Sequence, residues 1–119
     1  MHAPTGITVK RKSRVVEVAW DDGTRYALPF EYLRVHSPSA EIRGHSGGEG
    51  KLELAKESVQ VTKVEPVGVY AVRLHFDDGH DTGLYSWDYL RELGAEFDRK
   101  WARYLERCEK LGYERKPPD

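Results

Sequence analysis

"VEVAWDDGTRYALPFEYLR" (residues 16–34) and "VRLHFDDGHDTGLYSWDYLR" (residues 72–91) are one phrase written twice, with a single residue inserted in the second copy. Each copy alternates apolar and polar residues, turns at Asp-Asp-Gly, alternates again, and enters a short helical stretch carrying Tyr-Leu-Arg. A repeat of this kind predicts internal pseudo-symmetry. The register of each hairpin follows from which faces become apolar. Val16, Val18 and Trp20 share one face of their strand. A two-residue Asp22-Gly23 turn would set Trp20 against Arg25 and mix apolar with charged. A three-residue loop, Asp21-Asp22-Gly23, pairs Trp20 with Thr24, Val18 with Tyr26 and Val16 with Leu28. It also puts Gly23 where this loop needs a left-handed residue. Applied to the second copy, the same loop predicts Phe76 opposite His80, Leu74 opposite Thr82 and Val72 opposite Leu84.

Outward from the repeat, Ile7 to Lys10 can pair with Arg14 to Trp20 across Arg11-Lys12-Ser13. Val59 to Glu65 can pair with Tyr70 to Phe76 across Pro66-Val67-Gly68. Ser86 suits the N-cap of a helix from Trp87 to Leu93, and Gly94 suits its stop. Phe97, Trp101, Tyr104, Leu105, Cys108 and Leu111 form the stripe of an amphipathic helix ended near Gly112. The predicted fold is therefore α+β: a small antiparallel sheet module of two pseudo-repeated β-meander–helix units plus a C-terminal helix. We read one domain over 1–119, with the repeat module at 7–94, the last helix at 95–112 and a frayed tail at 113–119. Trp20, Phe76, Val18, Leu74, Leu28, Leu84, Leu33 and Leu90 are the expected core, with the last helix covering apolar surface left by the sheet.

Composition narrows the function classes. A chain of 119 residues with formal charge −1, from 19 basic and 20 acidic residues, lacks the concentrated positive charge of a nucleic-acid grip or a polybasic membrane surface. Lys10-Arg11-Lys12 reads as a solvated hairpin tip. Cys108 is the only cysteine, so no disulfide forms within the chain and a reducing compartment fits. Its place on a helical apolar stripe suits an inert core thiol. No apolar run approaches the ~20 residues of a membrane span, and the N-terminus lacks a signal-peptide core. The expected location is the cytoplasm.

The repeat, together with "YLRVHSPSAEIRGH" and "DDGHDTGLYSWDYL", resembles the gamma-butyrobetaine hydroxylase-like N-terminal domain family over roughly residues 7–94. The resemblance implies a small α+β module. Such modules occur as short standalone bacterial proteins, at the front of carnitine-pathway dioxygenases, and appended to some P-loop iron–sulfur carrier proteins; the resemblance implies no established activity for the standalone members. In the animal dioxygenases the module looks like a zinc-binding domain, with three cysteines and a histidine as ligands. The matching positions here fall near Ser37, Ser39, Ile42 and on His80. Serine hydroxyls and an isoleucine do not replace thiolates in a tetrahedral zinc site, so one ligand of four remains.

An open three-histidine site built from His36, His45 and His80, holding zinc or iron, is the alternative. We prefer the reading in which these histidines hydrogen-bond within turns and loops, and favour no cofactor. His75-Phe76-Asp77 matches the His-x-Asp half of a non-haem iron triad, yet the register places His75 outward, opposite Asp81, as a cross-strand charge pair. The resemblance agrees, because in the dioxygenases the catalytic iron belongs to a separate domain. Gly44, Gly47, Gly48 and Gly50 mark a mobile loop over 44–50, with no Gly-Lys-Ser/Thr to make it a phosphate loop. Arg34, Arg43 and Arg91 would clamp a carboxylate or phosphate only if they cluster. Tyr85, Trp87 and Tyr89 cannot all face inward, which leaves an aromatic for a partner. The resulting expectation is a non-catalytic interaction or adaptor module, monomeric or weakly homodimeric, which the fused relatives tie to iron–sulfur or oxygenase proteins. Its partner patch is His36, Arg43, His80, Tyr85 and Trp87, on a surface loop at the end of the sheet, and metal binding is the alternative.

Overall fold

Two three-stranded antiparallel sheets, each closed by one Asp-Asp-Gly turn, carry the repeat in the computed structural model, which describes residues 3–39 and 50–118. The first sheet has the order β1 (Pro4–Lys10), β2 (Val15–Trp20), β3 (Arg25–Pro29), and α1 (Phe30–Val35) follows it directly. The second has β4 (Val61–Val67), β5 (Ala71–Phe76) and β6 (Leu84–Ser86), followed by α2 (Trp87–Ala95). A last helix, α3 (Phe97–Leu111), ends on Gly112 at φ 78°, the left-handed cap expected of a glycine there. The architecture is the α+β arrangement expected from the repeat. Among the described residues no helix is long and apolar enough to cross a membrane. The expected mobile loop over 44–50, together with Ile42, Arg43 and His45, lies outside the described residues but for Gly50.

The first hairpin has the expected register: Val16 faces Leu28, Val18 faces Tyr26, and the Trp20 N–H donates to the Thr24 carbonyl at 2.9 Å. Gly23 takes φ 86°. The second hairpin begins alike, with the Phe76 N–H donating to the His80 carbonyl at 3.0 Å. It then departs from expectation, because Val72 faces Tyr85 and Leu84 faces Arg73. The inserted residue is absorbed within 81–83 and slips the strand by one position, which turns every later side chain over. Tyr85 thereby takes the inward place that Leu28 fills in the first copy. Leu84, expected in the core, is 37% exposed.

Three further boundaries shift. Pro66 and Val67 belong to β4, and the turn is Gly68-Val69-Tyr70; β4 is an edge strand, where a residue without an N–H is tolerated. Gly94 lies inside α2, which is capped at its start by Ser86 Oγ accepting from the Tyr89 N–H. A Cβ at Gly94 would overlap the Tyr26 ring, so close approach is the reason for glycine there. The tail expected to fray is tied down through Lys116: Tyr113 donates to Glu57 at 2.6 Å, Arg115 pairs with Glu31, and the Lys116 N–H donates to Glu57 at 2.8 Å.

One core joins the inner faces of both sheets with α1 and α2, and includes Val18, Trp20, Leu28, Leu33, Leu74, Phe76 and Leu90. A second, smaller core forms where Val35, Tyr104 and Cys108 pack with Leu52 and Leu54. The helix α3 joins the two through an aromatic run. Phe97 stands edge-on to Tyr32 at 4.7 Å, and Trp101 stacks on Tyr104 at 5.2 Å. It thus covers α1 and the 52–54 segment. Leu105 and Leu111, read as part of its buried stripe, lie at the exposed margin.

Candidate functional site

The two Tyr-Leu-Arg phrases sit at the seam between the units, and each reaches across to the other. Tyr32 donates to the Leu93 carbonyl at 2.7 Å, and Tyr89 donates to the His36 carbonyl at 2.5 Å. In both cases the acceptor lies four residues beyond the opposite tyrosine. Arg34 pairs with Asp78 of the second Asp-Asp-Gly turn at 2.8 Å, while Arg91 pairs with Asp22 of the first at 2.7 Å. The repeat is therefore a reciprocal exchange of bonds. The two arginines differ in setting: the Arg34 side chain is 6% exposed and the Arg91 side chain 24%. Arg91 also lies over the Trp20 ring at 5.3 Å. Burial pulls the Asp78 carboxyl upward, but Lys56, the His80 N–H and Arg34 outweigh it and hold the group at about 2. The arginines serve separate carboxylates and do not cluster into an anion clamp.

The serines and the histidine at the resemblance's metal positions also meet at this seam. Ser37 Oγ and His80 Nε2 share a hydrogen bond at 2.8 Å, and Ser39 Oγ bonds Thr82 Oγ1 at 2.7 Å. Gly83 makes this docking possible, since a Cβ on it would overlap Ser37 Oγ. Tyr85 donates to the Leu33 carbonyl at 2.6 Å, and burial pushes its hydroxyl far above the usual range, so it remains a donor at every working pH. Chain segments 37–39 and 80–85 are thus joined by hydrogen bonds.

The remaining sequence candidates divide. His36 Nδ1 donates to the Tyr32 carbonyl at 2.9 Å, and its ring faces Tyr32 and Tyr104, whereas the His80 ring lies beside Phe76. Among the described residues no group of three His, Cys, Asp or Glu side chains converges as a metal site; His45 lies outside them. The polar patch expected at the surface needs correction, because Tyr85 is fully buried and His80 nearly so. The strand slip turned Tyr85 inward, and His80 is bonded to Ser37 across the seam. Trp87 is half-buried, with its Nε1–H donating to the Val69 carbonyl at 2.7 Å. His75 lies between Glu65 at 2.9 Å and Asp81 at 3.9 Å, so the cross-strand pair exists but Glu65 is the nearer partner.

A different surface was missed in the sequence. A cleft of ≈ 130 Å³ runs between α3 and the 51–53 segment, with Val35, His36, Tyr89 and Tyr104 among its lining residues. Among the described residues five cations line it, Lys51, Arg99, Lys100, Arg103 and Arg107, with one carboxylate, Glu53. Tyr104 donates to the Glu53 carbonyl at 2.7 Å and Arg107 to the Gly50 carbonyl at 3.0 Å, which pins the two walls together. Arg99 pairs with Glu96, Lys100 with Glu92 and Arg103 with Glu106. The signal in the sequence was arginine at every fourth position, 99, 103 and 107, beside the apolar stripe.

Comparison with known proteins places this arrangement. The family model for gamma-butyrobetaine hydroxylase-like, N-terminal, matches residues 7–91. One solved solution structure is 44% identical, covering all of this chain and 89% of that one at TM-score 0.85. A second is 43% identical over all of this chain and 94% of its own, at TM-score 0.82. A crystal structure of a protein of unknown function from Acidithiobacillus ferrooxidans, assigned to the DUF971 family, is 48% identical. It covers 78% of this chain and 93% of its own, at TM-score 0.66. The comparison with curated proteins finds no match.

Proposed function

Because the chain belongs to the gamma-butyrobetaine hydroxylase-like N-terminal family, we propose that it is a non-catalytic interaction module, an adaptor for iron–sulfur or oxygenase proteins. One observation carries this reading. The groups that could do chemistry, His80, Ser37, Tyr32, Tyr85 and Arg34, bond across the seam, while among the described residues five cations gather along one cleft of a chain whose net charge is only −1. Such an uneven distribution steers and orients a partner more than it supports a reaction. The partner is a protein; the overall charge disfavours nucleic acid and membrane surfaces. The module works in the cytoplasm as a monomer or weak homodimer and needs no cofactor.

The test is purification of tagged protein from its native host at physiological salt, with size-exclusion chromatography and elemental analysis of the same fractions. Co-elution with an iron–sulfur or oxygenase protein at near-equal stoichiometry supports the reading. A lone protein carrying one equivalent of zinc or iron would replace it with the histidine-based metal reading.

A further inference from the structure

We infer that the body of the protein carries a site for a partner segment with arginine two residues after tyrosine, and that the chain's own tail fills this site until the partner arrives. The inference rests on the interaction-module reading and gives that reading a recognition rule. The tail, residues 113–118, is neither helix nor strand and leaves α3 through Gly112. It is held at two carboxylates of the body, Glu31 and Glu57, which are 8% and 7% exposed. Arg115 donates from Nε and Nη2 to the two oxygens of Glu31, and its guanidinium lies over the Trp101 ring at 5.0 Å. Tyr113 donates its hydroxyl to Glu57 at 2.6 Å, and the Lys116 N–H donates to the same oxygen at 2.8 Å. Glu114, between the two anchors, is exposed. The occupant therefore need not be basic overall, since its outward position accepts an acid.

The chemistry of the site selects arginine and favours exchange over simple opening. A planar guanidinium fork meets both carboxylate oxygens and suits an indole face, whereas an ammonium supplies only a point charge. Removing the tail alone would leave two buried carboxylates without these donors, so the site stays filled until another segment replaces the first. Replacement is open from the solvent side. The Arg115 side chain is 31% exposed and that of Glu31 9%, so the tail is the outer member, and Gly112 at φ 78° is its pivot;. The tail of a second copy would remake the same contacts and gain nothing to offset the cost of association. A partner adds contacts of its own outside the site.

The experiment uses the full-length Tyr113→Ser/Arg115→Ser variant, whose tail has lost both anchors, and a labelled peptide in the tail's own order, Tyr-Glu-Arg-Lys-Pro-Pro. In fluorescence anisotropy the peptide should bind the variant at least about tenfold more tightly than wild type, whose tethered tail competes at high effective concentration. Lysine or citrulline in place of the peptide's arginine should lower that affinity about tenfold. Equal binding to variant and wild type, no binding to either, or indifference to the arginine overturns the proposal. Should the variant fail to fold, wild type decides: excess peptide should release the tail and speed hydrogen exchange at the Lys116 amide, and an unchanged rate overturns the proposal. Dimerisation of wild type that Arg115→Ser abolishes would overturn the partner assignment and give the site to a second copy. In native purification, loss of the partner from a folded Glu31→Gln variant alone supports the proposal. Co-elution with that variant removes this site and leaves the module reading intact, whereas absence of the partner from wild type removes the module reading itself.

Discussion

The reciprocal arginines allow one interaction to be measured twice in one molecule, once buried and once not. Consider Arg34→Met and Arg91→Met, which keep most of the side-chain volume and remove the charge. Arg34 is almost wholly enclosed, and breaking a buried pair from one side costs about 3–5 kcal/mol because the other charge is left behind. Two features reduce that figure. Asp78 retains Lys56 at 2.8 Å and the His80 N–H. Arg34 Nη1 is itself buried without a hydrogen-bond acceptor, at 3.8 Å from Glu53, so its removal recovers about 1 kcal/mol of desolvation. The expected net loss for Arg34→Met is about 2–4 kcal/mol, read as a fall in the urea midpoint at constant m. In a thermal melt, each kcal/mol corresponds to about 3–6 °C for a chain of this size. Arg91→Met removes a pair that water already reaches, with Asp22 free to rehydrate, and its loss should fall well short of half the Arg34 value. Equal losses from the two variants would show that burial does not govern the seam, and would refute the reasoning.

Three other expectations follow from single contacts. His80→Ala should cost about 2 kcal/mol, because the ring is buried and Ser37 Oγ loses its closest partner;. A double-mutant cycle with Ser37→Ala should return a coupling of about 1 kcal/mol, and a cycle closing at zero would deny the bond. Gly94→Ala, normally favourable in a helix, should instead destabilise by about 1–3 kcal/mol through overlap with Tyr26;, with urea titration as the check. The folded Asp78 carboxyl lies at about 2, below its ordinary 3.8. Its contribution is therefore full above pH 4 and fades as pH falls towards 2, amounting after solvent screening to about 1 kcal/mol. Asp78→Asn should flatten that part of the stability–pH curve, and an unchanged curve would exclude Asp78 as its source.

The first hairpin was legible because its alternation and its glycine agree on one register, and local and tertiary preferences coincide. The second hairpin was legible only near its turn. Both registers of β6 offer an apolar residue, Leu84 or Tyr85, to the core, and the choice was made elsewhere in the chain. Ser37 and Pro38 press on Gly83 from the other half, and no periodicity within β6 records that pressure. The buried seam was half visible. The resemblance drew attention to Ser37, Ser39 and His80, and the chain indeed joins those segments, but their burial depends on the docking of the two halves, which no pattern within either segment records. The cleft escaped notice because its arginines read as the solvated face of an amphipathic helix. What sets them apart is the 51–53 segment lying alongside, held by the Tyr104 and Arg107 bonds to backbone carbonyls.

The bonds across the seam also determine how this chain must fold. The partners in the arginine, tyrosine and serine exchanges are 43 to 69 residues apart, so the transition state closes long loops before most of its reward arrives. Each tyrosine, arginine and Asp-Asp-Gly turn is completed by the opposite half, so neither half is expected to be a self-sufficient foldon. Fragments 1–48 and 49–119 should each remain unstructured alone and regain a native near-ultraviolet dichroism spectrum on mixing, in a second-order reaction. The duplicated phrase would then act as a lock and key encoded within one gene product.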